Sequence, residues 1–438
     1  MNYTQTLEFL DSAMPSFQRK GAVAYKPGLD RIVGFCHEIG NPQRNFFTIH
    51  VAGTDGKGSV SSMIAAVLQS AGYTTGLFTS PHLSDFRERI KVDGEMISKQ
   101  KVVNFVDKYH DLMLQYELSF FEMTAALAFD YFDQSNVEVA VIETGLGGRL
   151  DATNIITPRL SVITNIGLEH TDLLGGTLPE IATEKAGIIK KSVPVLIGER
   201  NAECDAVFEN RAAELKSKIV YAENEFKLEG YEGCDDCSRF RLVRTRDGFL
   251  FDLKTDLFGE YQCRNIVTAC AVLDFLHEET PLTISRRALL EGMASAATDT
   301  GLRGRWERIG EAPLTICDTG HTPYAFDYIV SQLNRVEGKA VAVLGFSGDK
   351  NVSGILSKLE GVSNPGFEIV FTRAGIGRAM DLETIGSAAA GLSLKYGFAD
   401  TVAEAVALAK EKAGEGGFVF IGGSTYVVAE AMKATVVA

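Results

Sequence analysis

The sequence predicts an α/β protein: a P-loop-type domain on a mainly parallel sheet that also carries a small antiparallel sheet, followed by a smaller Rossmann-like α/β domain. Three observations lead to it. Short apolar runs alternate with stretches of helical periodicity from residue 46 to 190, the pattern of parallel strands joined by right-handed crossovers. The strand-to-helix turn Gly53-Thr54-Asp55-Gly56-Lys57-Gly58-Ser59 combines glycines, a lysine and a hydroxyl. From residue 314 onward the alternation restarts without such a turn.

Residues 1–45 read as an opening helix followed by Lys26-Pro27-Gly28-Leu29-Asp30-Arg31, where Pro-Gly marks a turn. Phe46 to Val51 is a buried strand and Val60 to Ala71 a helix. Between them the glycines let backbone N–H groups converge on an anion, and the helix N-terminus adds partial positive charge. That charge is worth only about 0.3–1 kcal/mol at an exposed site, so Lys57 has to supply a point charge for the terminal phosphates. The usual phosphate loop places Ser or Thr directly after its lysine, where it reaches Mg²⁺. Here Gly58 intervenes before Ser59, so a metal would draw ligands from elsewhere.

Thr74 to Phe78 is a short strand that delivers Thr79-Ser80-Pro81-His82-Leu83; the proline holds Ser80 extended, its hydroxyl able to face a ligand. Residues 99–117 are helical, and Ser119-Phe120-Phe121-Glu122 opens a helix at 123–133, its two adjacent aromatics reading as core. Val137 to Ile142 is a strand that ends at Glu143, the head of the glycine-rich run Thr144 to Asn154. An acid there suits a Mg²⁺ ligand or a water-positioning group, with an N-cap or salt bridge as the plainer reading. Leu160 to Thr164 is a further strand, and His170 after it is either structural or a metal ligand. Pro179 to Lys190 is a helix holding Lys185, a solvated surface lysine or, if buried, an amine of depressed pKa open to modification. Ligands of parallel sheets sit at the carboxyl ends of strands, the edge on which Ser59, Ser80, Glu143 and His170 all fall.

Residues 225–258 alternate polar and apolar, as a small antiparallel sheet does. Cys234-Asp235-Asp236-Cys237 within it reads as a tight turn, since a zinc site needs a second cysteine pair. Helices follow at 262–278 and 283–296, and Ala294 to Arg305 is the expected linker between parts 1–297 and 298–438. In the second part, strands at Leu314–Cys317 and near 340–345, 368–372 and 418–421 alternate with helices near 323–336, 351–360, 402–413 and 424–434. Thr322 and Pro323 suit a helix N-cap and first turn.

At 438 residues the chain is too long for one ordinary core. Its net charge of −14 and the lack of a basic stripe argue against nucleic acid as a main partner. No apolar run approaches the roughly 20 residues of a membrane span. Met1 to Asp11 lacks the pattern of a secretory signal, so a cytoplasmic location is expected. The seven cysteines are odd in number in a long chain, so no disulfide framework is expected. A monomer is the default expectation.

The ordered set GTDGKGS (53–59), TSPHL (79–83), ETGLGGRLDATN (143–154), TNIGLEH (164–170), EKAGI (184–188), Gln262 with Asn265, GRWE (304–307) and DTGHTP (318–323) resembles the folylpolyglutamate synthase and dihydrofolate synthase family of the Mur ligases, over nearly the whole chain. The resemblance implies an ATP-dependent ligase that adds L-glutamate to dihydropteroate, to the γ-carboxylate of reduced folates, or to both. It implies that Thr54, Asp55, Gly56, Lys57, Gly58 and Ser59 hold ATP together with Asn265, Arg305 and Asp318. It also implies Mg²⁺ at two sites, with Ser80, Glu143, His170 and a carbamylated Lys185 as ligands. Gly28, Leu29, Arg31, Phe120, Phe121, Glu122 and Asp151 would meet the pterin-bearing acid, and Lys57, Lys185 and His321 would serve the chemistry. The chain departs from the family in three places: Asp55 stands where the family usually has Asn, DTGHTP replaces DGAHNP, and Tyr261 replaces the His of an HQxxN motif.

The expected reaction transfers the γ-phosphate of ATP to a carboxylate, because a carboxylate oxygen is a poor leaving group and an acyl phosphate repairs that. The neutral amine of glutamate then attacks, and phosphate leaves. A phosphate-loop kinase or nucleotidase would turn over ATP without glutamate, a nucleotide-gated binding protein would not turn it over at all, and another Mur-type amide ligase would take a different acid.

Overall fold

The computed structural model describes residues 1–12, 28–234, 236–348 and 350–436; Lys26 and Pro27 of the expected turn lie outside the described residues. The chain divides into two compact units, Met1–Asp256 with Gln262–Leu302, and Leu257–Tyr261 with Arg303–Ala438.

The first unit holds strands β1 (Phe47–Ala52), β2 (Thr75–Phe78), β3 (Ile90–Val92), β4 (Glu95–Met96), β5 (Val139–Glu143), β6 (Leu160–Ile163), β7 (Val195–Ile197) and β8 (Ile219–Tyr221). They form one sheet in the order β4-β3-β2-β5-β1-β6-β7-β8, parallel except for the antiparallel edge made by β3 and β4. The central strands are buried on both faces, as helices on both sides of a parallel sheet require. Val51 lies opposite Glu143 and Ala52 opposite Ile163, so the turns that follow β1, β5 and β6 open on one edge. The helix Lys57–Ser70 is buried from Gly58 to Leu68, because it packs between the sheet and the helices Gln262–Glu279 and Arg286–Ala294. Strands β9 (Phe226–Gly233), β10 (Ser238–Arg244) and β11 (Leu250–Thr255) form a separate antiparallel sheet in the order β11-β10-β9. Phe240, Leu242, Phe251 and Leu253 alternate into its core, and the Cys234 N–H donates to the Cys237 carbonyl at 2.9 Å where the β9–β10 hairpin turns.

The second unit holds β12 (Glu307–Glu311), β13 (Leu314–Cys317), β14 (Ala340–Leu344), β15 (Phe367–Phe371), β16 (Tyr396–Phe398) and β17 (Phe418–Gly422), in the order β12-β13-β17-β14-β15-β16. Only β12 runs antiparallel to its neighbour. Phe326, Leu344, Phe371 and Phe420 are central to the core between this sheet and its helices.

Strands β3, β4, β7, β8 and β16, of two or three residues, are too short to show a period and were not expected from pattern; nor was β12, none of whose five residues is buried. The helix expected to run to Lys190 ends at Ala186, and Ile188 and Ile189 beyond it turn into the core. Within the expected linker lies a helix, Ala296–Thr300, and the buried Lys91 ammonium donates to the carbonyls of Thr300 and Gly301 at its end, at 2.5 and 3.3 Å. Among the described residues no helix is long and apolar enough to cross a membrane.

Candidate active site

The turn after β1 is built from backbone. Gly56 caps the helix Lys57–Ser70 with φ at 80°, in the left-handed region. A Cβ there would lie 2.2 Å from Oδ1 of Asn265, so only glycine permits both the conformation and the approach. The turn is fastened to the segment after β6: Thr54 N–H donates to the Asn165 carbonyl, Asp55 N–H to Asn165 Oδ1 at 2.9 Å, Thr164 Oγ1 to the Asp55 carbonyl at 2.7 Å, and Gly167 N–H to Thr54 Oγ1 at 2.9 Å. Gln262 Nε2 reaches Ser59 Oγ at 3.4 Å, and Asn265 Nδ2 donates to Gln262 Oε1 at 2.7 Å. Lys57 Nζ donates to the carbonyls of Gly53 and Thr54 at 3.0 and 2.9 Å.

Lys185 meets the same point. Its Nζ donates to the Gly53 carbonyl at 2.6 Å, so two lysines share one acceptor. Burial, and secondarily the charge on Lys57, push the Lys185 ammonium down to about 7; Glu169, Asp55 and Asp151 pull the other way. An amine at that value is substantially neutral near neutral pH, which a solvated surface lysine is not.

Glu143, 3% exposed, ends β5 beside this turn, and the Ser80 N–H donates to its Oε2 at 3.2 Å. His170 stands at the N-cap of the short helix Thr171–Leu174 with φ at 52°, and its Nε2 is 3.5 Å from Oε1 of Glu169. Asp151 is buried and accepts from Gly145 N–H and Leu146 N–H, both at 2.9 Å, so it shapes the turn that follows Glu143. Among the described residues no three His, Cys, Asp or Glu side chains converge closely enough to hold an ion by themselves. Mg²⁺ takes one or two carboxylates and completes its shell with phosphate oxygens and water. The oxygen donors of Ser80 and Glu143 fit such an ion, whereas the His170 imidazole is a donor more usual for zinc, copper, iron or nickel.

The expected acid-substrate residues form a neighbouring group. Ser119 and Glu122 make a capping box at the head of the helix Phe120–Gln134, and Arg31 pairs with Glu122 at 3.3 Å. Phe120 is buried, as expected of core. The Phe121 ring lies so close to Gly145 that an added Cβ would be 2.4 Å from it. Leu29 precedes the helix Asp30–Glu38 and packs on the same core, and Gly28 has φ at 109°. Arg89 Nε donates to His82 Nδ1 at 2.8 Å and stacks over Phe120, which ties the segment after Ser80 to this group.

In the second unit Asp318, at the end of β13, accepts from Tyr261 Oη at 2.7 Å, Trp306 N–H at 2.8 Å and Gly320 N–H at 2.7 Å. Arg305 donates to the Gly304 carbonyl at 3.1 Å and to Thr319 Oγ1. His321 Nδ1 is 2.8 Å from the Thr319 carbonyl, which only accepts, so Nδ1 carries the hydrogen. Thr322 caps the helix Pro323–Leu333 through the Ala325 N–H.

Four participants were not singled out from sequence. Asn165 and Thr164 brace the phosphate turn, and nothing local to them signals a partner more than a hundred positions away. Glu169 bears on Lys185 and His170. His50 is the one titratable residue within the buried strand β1, and that was the available signal.

Known proteins match this geometry. Residues 51–273 match the Mur ligase middle domain, and residues 304–425 the Mur ligase glutamate ligase domain. The chain is 34% identical to the folylpolyglutamate synthase of Lacticaseibacillus casei, over 82% of this chain and 83% of that one. It is 33% identical to the dihydrofolate synthase/folylpolyglutamate synthase of Bacillus subtilis, over 77% and 80%. The Mycobacterium tuberculosis folylpolyglutamate synthase complexed with ADP and AMPPCP superposes with a TM-score of 0.87 at 30% identity, covering 99% of this chain and 98% of that one. Escherichia coli FolC in complex with DHPP and ADP does so with 0.83 at 27%, covering 100% and 98%. The chain belongs to the folylpolyglutamate synthase and dihydrofolate synthase family of the Mur ligases.

Proposed function

We propose that this chain, an ATP-dependent ligase of that family, adds L-glutamate to dihydropteroate, to the γ-carboxylate of reduced folates, or to both, through an acyl-phosphate intermediate. The observation that carries the reading is the meeting of Lys57 and Lys185 on the Gly53 carbonyl, with Glu143 at the adjacent strand end. The Lys57 charge disfavours a second cation beside it, so Lys185 is the neutral amine and Lys57 the cation that meets a phosphate chain.

In this reading Thr54, Asp55, Gly56, Gly58 and Ser59 cradle the phosphates, Lys57 steadies charge on the γ-phosphoryl group as it moves, and Asn265, Arg305 and Asp318 hold the rest of the nucleotide. Ser80, Glu143, His170 and Lys185 would hold Mg²⁺, which when bound withdraws charge from phosphate oxygens. Lys185 reaches that role as a carbamate: its neutral amine adds to CO₂, the new N–C bond releases one proton, and the product is an anion. Gly28, Leu29, Arg31, Phe120, Phe121 and Glu122 orient the acid, Asp151 does so through the turn it holds, and the buried Phe120 with the half-buried Phe121 excludes water that would hydrolyse an acyl phosphate. His321 lies with the nucleotide group of the second unit. The division into an ATP-binding part, 1–297, and a C-terminal part, 298–438, belongs to the same reading, as do a cytoplasmic location and a monomer.

Purified protein given ATP, Mg²⁺ and glutamate with either dihydropteroate or a reduced folate tests the proposal by product mass. A gain of one glutamate residue on either acid is the expected result. ATP consumption with neither acid altered would refute it.

A further inference from the structure

Asp151 is saturated with donors, and the last of them leads inward. Its Oδ2 accepts from Gly145 N–H and Leu146 N–H; its Oδ1 accepts from the Thr153 N–H at 3.0 Å and the Thr153 hydroxyl at 2.5 Å. Thr153 Oγ1 is in turn 2.8 Å from Nε2 of His50, on β1, which is wholly buried.

The proton inventory sets the direction of this chain. Burial raises the Asp151 carboxyl while these donors lower it, and with two donors already on each oxygen it has no place for a proton, so Thr153 gives its single proton to Asp151 and accepts from His50. Burial pushes His50 down to about 3, so the ring is neutral and its one hydrogen sits on Nε2. Nδ1 is then a buried lone pair with no partner among the described residues. Leaving such a group unpaired costs free energy that an apolar residue in β1 would avoid. The neighbours Ile49 and Val51 show what the strand otherwise uses.

We propose that His50 is a positioning residue for the ligase reaction: through Thr153 it fixes Asp151, and through Asp151 the turn at Gly145 and Leu146. That turn leaves Glu143 directly and receives the Phe121 ring at Gly145, so it joins the metal end of the site to the aromatic end. The inference rests on the reading of residues 143–154 as part of the active centre.

Steady-state ligation by the full chain tests it. His50→Gln keeps an N–H donor and is expected to hold kcat within about threefold of the parent. His50→Leu and Thr153→Val each break the relay once, and each lowers kcat by roughly tenfold, the worth of one buried hydrogen bond, with the KM for ATP unchanged. The double variant falls no further, because a chain already broken cannot be broken again. Nitrogen-15 spectra of histidine-labelled protein, with His50→Gln as the assignment control, show the His50 proton on Nε2. Parent-like kcat in both His50→Leu and Thr153→Val, additive losses in the double variant, failure of glutamine to rescue, or a proton on Nδ1 would each overturn the proposal. Should His50→Leu fail to fold, Thr153→Val and the spectra still decide it. Asp151→Ala separates the two levels. Full activity in Asp151→Ala refutes the loop reading itself; loss there with parent-like His50→Leu refutes only the relay.

Discussion

Lys185 and Lys91 are two lysines of the first unit that are almost excluded from water and end on backbone carbonyls. Lys91 caps the end of the helix Ala296–Thr300, donating to Thr300 and Gly301, and no second cation acts on it. Burial lowers it only to about 8, with Glu88 holding it up, so it stays charged at neutral pH. Lys185 ends on Gly53, where Lys57 also ends, and is lowered to about 7. The difference lies in placement: Lys91 closes a helix end, whereas Lys185 shares its acceptor with a second lysine at the turn after β1.

The largest effect that follows is on Lys57. Lys57→Ala should reduce glutamate-dependent ATP turnover by on the order of 10³-fold while leaving the circular dichroism spectrum unchanged, because the lysine acts on charge in transfer and holds no core. Near-parent turnover would remove the basis of the comparison. Next comes Lys185→Met, expected to lose roughly 10²-fold in kcat. The parent should lose activity reversibly in CO₂-free buffer and Lys91→Met should respond to CO₂ as the parent does; equal CO₂ sensitivity in Lys185→Met would contradict the carbamate.

The pH dependence sharpens the same contrast. A lysine in the unfolded chain titrates near 10.5, and Lys185 in the folded one near 7. Between those values the unfolded state binds more protons, so the Lys185 contribution to stability grows as pH rises through the window and is lost as pH falls to about 7. Denaturant titrations of Lys185→Met should lack that part of the slope. Activation by CO₂ should likewise rise with pH through about 7. Lys91→Met, in contrast, leaves two carbonyls without their donor and should cost about 1–3 kcal/mol of stability with kcat unchanged. The smallest effect concerns the second unit. Tyr261→Phe removes one donor from Asp318 and should raise the KM for ATP by roughly two- to tenfold, the worth of one hydrogen bond.

Much of this was legible in the sequence because the informative features are local. The run from Phe46 to Ala71 announces strand, anion turn and helix in one reading, and Glu143 follows a short β-branched apolar run ended by a glycine-rich stretch, which reads as a buried strand. The helix expected at 123–133 is there, but it starts at Phe120, where Ser119 and Glu122 form a capping box that the pattern reading left outside the helix. What was not legible depends on distance. That Lys185 is buried and not on a solvated face follows from where its helix packs, and neither reading was excluded by the helix pattern itself. Asp151 is expected from the resemblance to meet the acid; that it closes the turn is not legible, because its partners Gly145, Leu146 and Thr153 declare themselves only once the loop is closed. Leu257–Tyr261 could not be assigned to the second unit, since its fastening to Arg335 and Asp318 is long-range.

The most direct test of the account follows the oxygen. If the γ-phosphate moves onto the acid and glutamate displaces it, one oxygen of the acid substrate leaves as part of the released phosphate. With the reacting carboxylate labelled in oxygen-18, the account predicts heavy phosphate formed only with glutamate turnover and lost in Lys57→Ala. Unlabelled phosphate from a reaction that still forms the amide would contradict it.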